Sequence, residues 1–259
     1  NHAGFPDGVA GAELLARMRE QSLRYGASHH PGMVDKLERD EGGFAARIGS
    51  DVLRSQTVLL ATGVHDRPPT GLDEALHARA LASGRLRYCP VCDGFEVTDR
   101  RVAVVGSGGR AAREAEFLRS YTQDVTFVSD GPNDGLSDDE RARLDLLGVP
   151  KVAGPARDFR LEADGLSLDT AVGRLAFETV YPSLGSDVRS YLVSDLGADV
   201  TEDGCVRVDA HQRTSVPGLY AAGDVVIGLD QISHAMGQAG VAATRSEEHT
   251  SELQSHACI

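Results

Sequence analysis

The chain has 259 residues, 41% hydrophobic and 25% charged, with a formal charge of −13, an ordinary balance for one or two globular domains. The acidity excludes a nucleic-acid or anionic-membrane surface, and no apolar run reaches the length of a membrane span. No signal pattern opens the chain, and four cysteines are too few for a disulfide-stapled secreted scaffold, so a cytoplasmic protein is expected.

The chain opens NHAGFPDG, without an initiator methionine, as if entered partway through a protein. Residues 11–25 place Leu14, Leu15, Met18 and Leu23 at near-helical spacing, which predicts an amphipathic helix. Residues 42–50 and 52–60 read as strands, the second ending in VLLATG, an apolar run stopped by glycine as in a buried strand. HDRPPTG reads as a loop or linker, because paired prolines disfavour both helix and ladder. Residues 73–84 look helical.

Next comes a C-x-x-C, Cys89 and Cys92. Such a pair is half of a zinc site, a redox couple, or coincidence. Zinc needs a second paired cluster; Cys205 stands alone as a strand residue, and His29 and His30 lie far off in a polar loop. No metal is therefore expected. A redox couple explains more, and Asp93, directly after the second thiol, is placed to carry protons or merely to open a turn.

RRVAVVGSGG then predicts a strand and turn, RAAREAEFLRSY a helix and DVTFVSD a second strand, together a βαβ unit. The turn carries Gly106, Gly108 and Ala111 in the pattern G-x-G-x-x-A, with Ser107, Gly109 and Arg110 between them. Its glycines allow the tight turn and the close approach of a pyrophosphate, and the small third residue lets helix and strand pack closely. Asp130, at the end of the second strand, either accepts a bond from an unphosphorylated ribose or opens the following turn. Ser137 reads as the N-cap of a further helix, and residues 157–181 as antiparallel strands. TSVPGLYAAGDV is a strand ending in Gly-Asp, and ISHAMGQAGVAAT starts a helix expected to stop at Thr244. Residues 245–256 resemble the translation of a sequencing-library adapter, so residues 245–259 are read as a non-native tail.

Ala61–Gly63, Cys89–Phe95, the glycine turn, Thr214–Val225 and Gln231–Ala243 stand in the order and spacing of the low-molecular-weight thioredoxin reductases. Residues 4–244 resemble that family, within the pyridine nucleotide-disulfide oxidoreductases. The resemblance implies an α/β fold of two Rossmann-like three-layer domains, the nicotinamide domain inserted into the FAD domain. Residues 1–70 and 183–244 would form the FAD domain and 71–182 the insert. It implies FAD and NADPH or NADH as cofactors. It also implies electron flow from nicotinamide through flavin and the Cys pair to a thioredoxin-like protein or small-molecule disulfide, in a homodimer. Cys92 matches the thiol nearer the flavin, Cys89 the thiol that exchanges with the partner, and Asp93 the acid–base residue. Thr62, Gly63, Gly223, Asp224, Gln231 and Ile232 match flavin-contacting positions, and His234 lies close by. The family's first βαβ unit, which holds the ADP half of FAD, lies upstream of Asn1, so a fragment with poor FAD binding and little activity is expected. The family's basic pair for a 2′-phosphate is replaced by Ser129–Gly131, leaving Arg110 as the nearby basic group and the choice of nicotinamide open. A flavin-dependent dithiol oxidase using oxygen, or a catalytically silent flavoprotein-like module, are the alternatives.

Overall fold

The computed structural model describes residues 2–250, so residues 251–259 of the expected tail, with His256 and Cys258, lie outside the described residues. The described residues divide into two compact units, residues 2–65 with 187–250, and residues 66–186. In chain order the first part runs through α1 (Gly11–Arg24), β1 (Lys36–Asp40), β2 (Gly43–Ile48), β3 (Asp51–Ser55), β4 (Val58–Leu60) and β5 (Val64–Asp66). The middle holds α2 (Glu74–Ala82), α3 (Pro90–Asp93), β6 (Val102–Gly106), α4 (Gly108–Leu118), β7 (Val125–Ser129), α5 (Asp138–Leu146) and β8 (Lys151–Val152). Then follow β9 (Arg157–Leu161), β10 (Leu166–Thr170), β11 (Gly173–Phe177), β12 (Thr179–Ser183), β13 (Ser186–Val188), α6 (Tyr191–Ser194), β14 (Leu219–Ala221) and α7 (Ile232–Thr250).

The middle unit is a three-layer sandwich. Its parallel sheet has the order β12-β6-β7-β8, and every residue of β6 is buried, as expected of a strand covered on both faces. Each such buried valine is worth about 1.5–3 kcal/mol relative to exposure. One face packs on α4 and α5 through Ala111, Ala112, Ala115, Leu118 and Leu144. The other packs on α2 and the antiparallel β9–β11 sheet through Ala80, Phe159, Leu166 and Phe177.

The other unit pairs β4 with β14 in parallel, with Val58 opposite Leu219 and Leu60 opposite Ala221. An antiparallel meander β1-β2-β3 adds Leu37 and Phe44 to the core formed by Leu60, Val193, Val206 and Leu219. Ala242 and Ala239 of α7 pack on Tyr220, Ala222 and Leu59.

Several expected elements differ. The strand read over residues 52–60 breaks at Gln56 and Thr57, because β3 pairs antiparallel with β2 whereas β4 pairs with β14. The segment read as a loop after Gly63 begins with β5. Among the strands read as antiparallel, β12 instead runs parallel beside β6, with Ser183 opposite Gly106, which is why the middle unit extends to Ser186. Helix α1 forms, yet only Leu14 is buried, while Leu15, Met18 and Leu23 stay exposed; spacing predicts a helix but not what covers its face. Cys205 closes a turn rather than a strand, its carbonyl accepting from Thr201 N at 2.8 Å. Finally, α7 runs past Thr244 to Thr250, with Arg245 O accepting from Tyr220 Oη at 3.0 Å.

Candidate active site

The cysteine pair is built by a short local motif. Cys89 is the N-cap of α3, Pro90 takes the first helical position, where its fixed φ suits the helix, and Cys92 N donates to Cys89 Sγ at 3.2 Å. The two cysteines form a disulfide with a Cα–Cα distance of 5.2 Å, within the usual span for a bridge. Val91 (62%) and Phe95 (79%) stand exposed around it.

Asp93 lies in a charged and hydroxylated clamp. Tyr181 Oη, from the centre of β12, donates to Asp93 Oδ1 at 2.7 Å, and Arg87 Nη1 reaches Asp93 Oδ2 at 3.0 Å and Glu96 Oε2 at 2.8 Å. Burial first, and then the bond to Asp93, push the Tyr181 phenol far up, so it serves as a hydrogen-bond donor. Tyr88, directly before Cys89, is paired with His77 at 2.8 Å, and burial, with Asp66 nearby, pushes its phenol up to about 12. Tyr181 and His77 escape a motif-based reading because tertiary folding brings Tyr181 to Asp93 and His77 to Tyr88. Only the adjacency of Arg87 and Tyr88 to Cys89 is a sequence signal.

The glycine turn follows β6 as its pattern requires. A Cβ on Gly106 would fall 2.7 Å from Ser183 O and 2.9 Å from Ala111 Cβ, so both the glycine and the small third residue are needed for packing. Gly108 adopts φ +65°. Asp130 meets this turn, but its carboxylate accepts from Ser107 Oγ. Arg110 is exposed at the start of α4. Gly108 N, at the start of α4, donates to Asp134 O at 2.7 Å.

In the other unit the two parallel strands lead into Gly63 and Gly223, at φ +63° and +80°. Thr62 Oγ1 donates to Arg189 O at 2.6 Å, and Gly63 O accepts from Arg189 N. Gly223 N donates to Gln238 Oε1 at 2.8 Å, and a Cβ on Gly223 would meet Ala235 Cβ at 3.6 Å, placing Gly223 and Asp224 against the first turns of α7. Gln231 O takes the first helical bond of α7, from Ala235 N. Burial raises the Asp224 carboxyl, with His234 opposing the shift, and His234 Nε2 is buried without a partner. Ile227, Leu229, Ile232 and Met236 present apolar surface. A carboxylate, an unsatisfied imidazole nitrogen and apolar side chains fit a flavin, which needs hydroxyl acceptors, polar ring-edge partners and an apolar wall. Among the described residues no group of three or more His, Cys, Asp or Glu could hold a metal ion. No helix of those residues is long and apolar enough to cross a membrane.

A partly exposed disulfide with an adjacent clamped acid, on a Rossmann-like unit paired in sequence with a flavin-compatible one, defines a dithiol–disulfide oxidoreductase. The chain belongs to the pyridine nucleotide-disulphide oxidoreductase family, whose model matches residues 30–239. It is 31% identical over 247 residues to a thioredoxin reductase of Mycolicibacterium smegmatis, covering 87% of this chain and 74% of that one. A thioredoxin reductase of Streptomyces coelicolor is 32% identical over 240 residues, 87% and 72%. The crystal structure of thioredoxin reductase from Streptococcus pyogenes superposes with a TM-score of 0.84 at 25% identity, over 96% of this chain and 83% of that one. The fold is thus the two-domain Rossmann-like architecture of these flavoenzymes, and the chemistry that of an FAD-dependent disulfide reductase, in a family that works with FAD and NAD(P)H.

Proposed function

We propose that Cys89–Cys92 is the exchange centre of a cytoplasmic disulfide reductase whose partner is a thioredoxin-like protein or a small-molecule disulfide. The observation that carries this reading is the N-capped, partly exposed disulfide beside the clamped Asp93. In the reduced state the Cys89 thiolate attacks one sulfur of the partner's disulfide, forming a mixed disulfide and releasing the other sulfur as a thiolate. Cys92 then displaces the remaining sulfur, restoring the Cys89–Cys92 bond; the partner gains two electrons and the pair loses two. Asp93 delivers and removes the protons of these steps, held in place by Tyr181 and Arg87. Asp224 and Gly223, with Thr62, Gly63, Gln231, Ile232 and His234, are the residues that would hold a flavin. A flavin held there would supply the electron pair needed to reopen the disulfide. The exposed Val91 and Phe95 give the partner an apolar footing next to the sulfurs.

The roles of the two thiols are separable. Cys92→Ser should trap a stable mixed disulfide between Cys89 and an oxidised thioredoxin, seen as a mass increase of one partner. Cys89→Ser should trap none. A partner caught at Cys92 instead would reverse the two roles.

A further inference from the structure

The glycine turn of the middle unit is folded against a loop of the same chain. The Gly108 amide, one of those a G-x-G-x-x-A turn presents to a pyrophosphate, is taken by Asp134 O at 2.7 Å. Gly135 abuts it: a Cβ there would lie 3.2 Å from Gly108 N and 3.7 Å from Ser107 Cβ. A Cβ on Gly109 would collide with Glu140 Oε1, so a carboxylate rests against the next residue of the turn. The Ser107 hydroxyl is bonded to Asp130. The Ser107 hydroxyl, the Gly108 amide and the surface over Gly109 are thus engaged by the chain's own groups.

The loop is anchored at both ends. Ser129 Oγ donates at its start toward Gly131 O (2.8 Å) and Asn133 O (3.0 Å). At its far end Leu136 N donates to Asp134 Oδ1 at 3.1 Å, and Ser137 and Glu140 form a reciprocal capping box on α5. Its charge also opposes a phosphate. The Ser137 backbone N–H holds the Glu140 carboxyl below the usual range, and the Arg141 guanidinium does the same for Asp134, so both are anionic at neutral pH. Arg141 is spent on that pair, at 2.8 and 2.9 Å. A carboxylate beside a phosphate repels it, more strongly where solvent is thinned.

We propose that residues 131–135, together with Glu140, occupy the place of a dinucleotide at the Gly106 turn and close it to NADH and NADPH alike. This goes beyond the exchange reading and bears on what reduces the flavin, not on the exchange step itself, since Cys89, Cys92 and Asp93 use none of these residues.

Calorimetric titration of the full chain with NADH and with NADPH tests it, beside a variant in which residues 131–135 are replaced by two glycines and Glu140→Gln is added, so that the Asp134 carbonyl is removed with the loop, with circular dichroism confirming that the variant is folded. The wild-type chain should show no saturable heat up to about 1 mM of either nucleotide, and the variant should bind at least about tenfold more tightly, the effect of some 1.4 kcal/mol. Micromolar binding by the wild type would overturn the proposal. So would a folded variant that binds no better, because the loop would then not be what closes the turn. Counting thiols after dithiothreitol treatment of the same samples reports separately on the Cys89–Cys92 exchange reading.

Discussion

Two helix starts in the middle unit make opposite use of the same kind of residue. At α3 the N-cap Cys89 accepts from Cys92 N through its own sulfur, so the motif completes itself within four residues and holds a half-buried disulfide. At α4 the N-cap Ser107 makes no side-chain cap bond; its hydroxyl goes to Asp130, and the loop behind Asp130 supplies Asp134 O to Gly108. The first turn is arranged for reaction with an outside partner, the second for contact with its own chain. A redox motif and a nucleotide motif in one unit therefore need not be in the same state of readiness.

Variants at the two ends should separate accordingly. The largest effect belongs to the clamp on Asp93. Tyr181→Phe and Arg87→Gln, assayed by reduction of a small disulfide, should each lower kcat about tenfold, a fraction of what a positioned acid–base group contributes, with KM unchanged. Rescue of Arg87→Gln by Arg87→Lys would show that the charge at Asp93 matters; an altered KM with normal kcat would make the clamp a binding feature instead. A smaller effect is expected at the other end. Ser137→Ala removes the N-cap of α5 and should cost about 1 kcal/mol in urea denaturation, with exchange unaltered. If exchange also fell, the two ends would not be independent.

Much of this contrast is legible locally, and some of it is not. The run Val102–Gly106 announces a buried strand, and the Gly106–Ala111 spacing announces the tight packing that the 2.9 Å approach of a Gly106 Cβ to Ala111 Cβ explains. Ser137 reads correctly as an N-cap because a cap is settled within one helical turn. The direction of β12 is not legible, since an apolar burst after a hairpin fits an antiparallel or a parallel partner equally well, and only its seat beside β6 decides. Neither are Tyr181 and Arg87 as partners of Asp93, because Tyr181 arrives from β12 by tertiary folding. Asp130 sits at the turn as its spacing suggests, but its bond to Ser107 depends on where the following loop lies, which no motif states. The continuation of α7 through Thr250, where Tyr220 Oη donates to Arg245 O, is likewise not announced by hydrophobic periodicity.

The central claim is that Cys89 and Cys92 change oxidation state together during exchange with a partner. Differential alkylation with light and heavy reagent, before and after equilibration with reduced thioredoxin and read by peptide mass spectrometry, tests it most directly. The account predicts that Cys89 and Cys92 pass from protected to labelled in step, while Cys205, a free thiol, gives the same label in both states. Cys89 and Cys92 remaining protected, or only one of them responding, would contradict it.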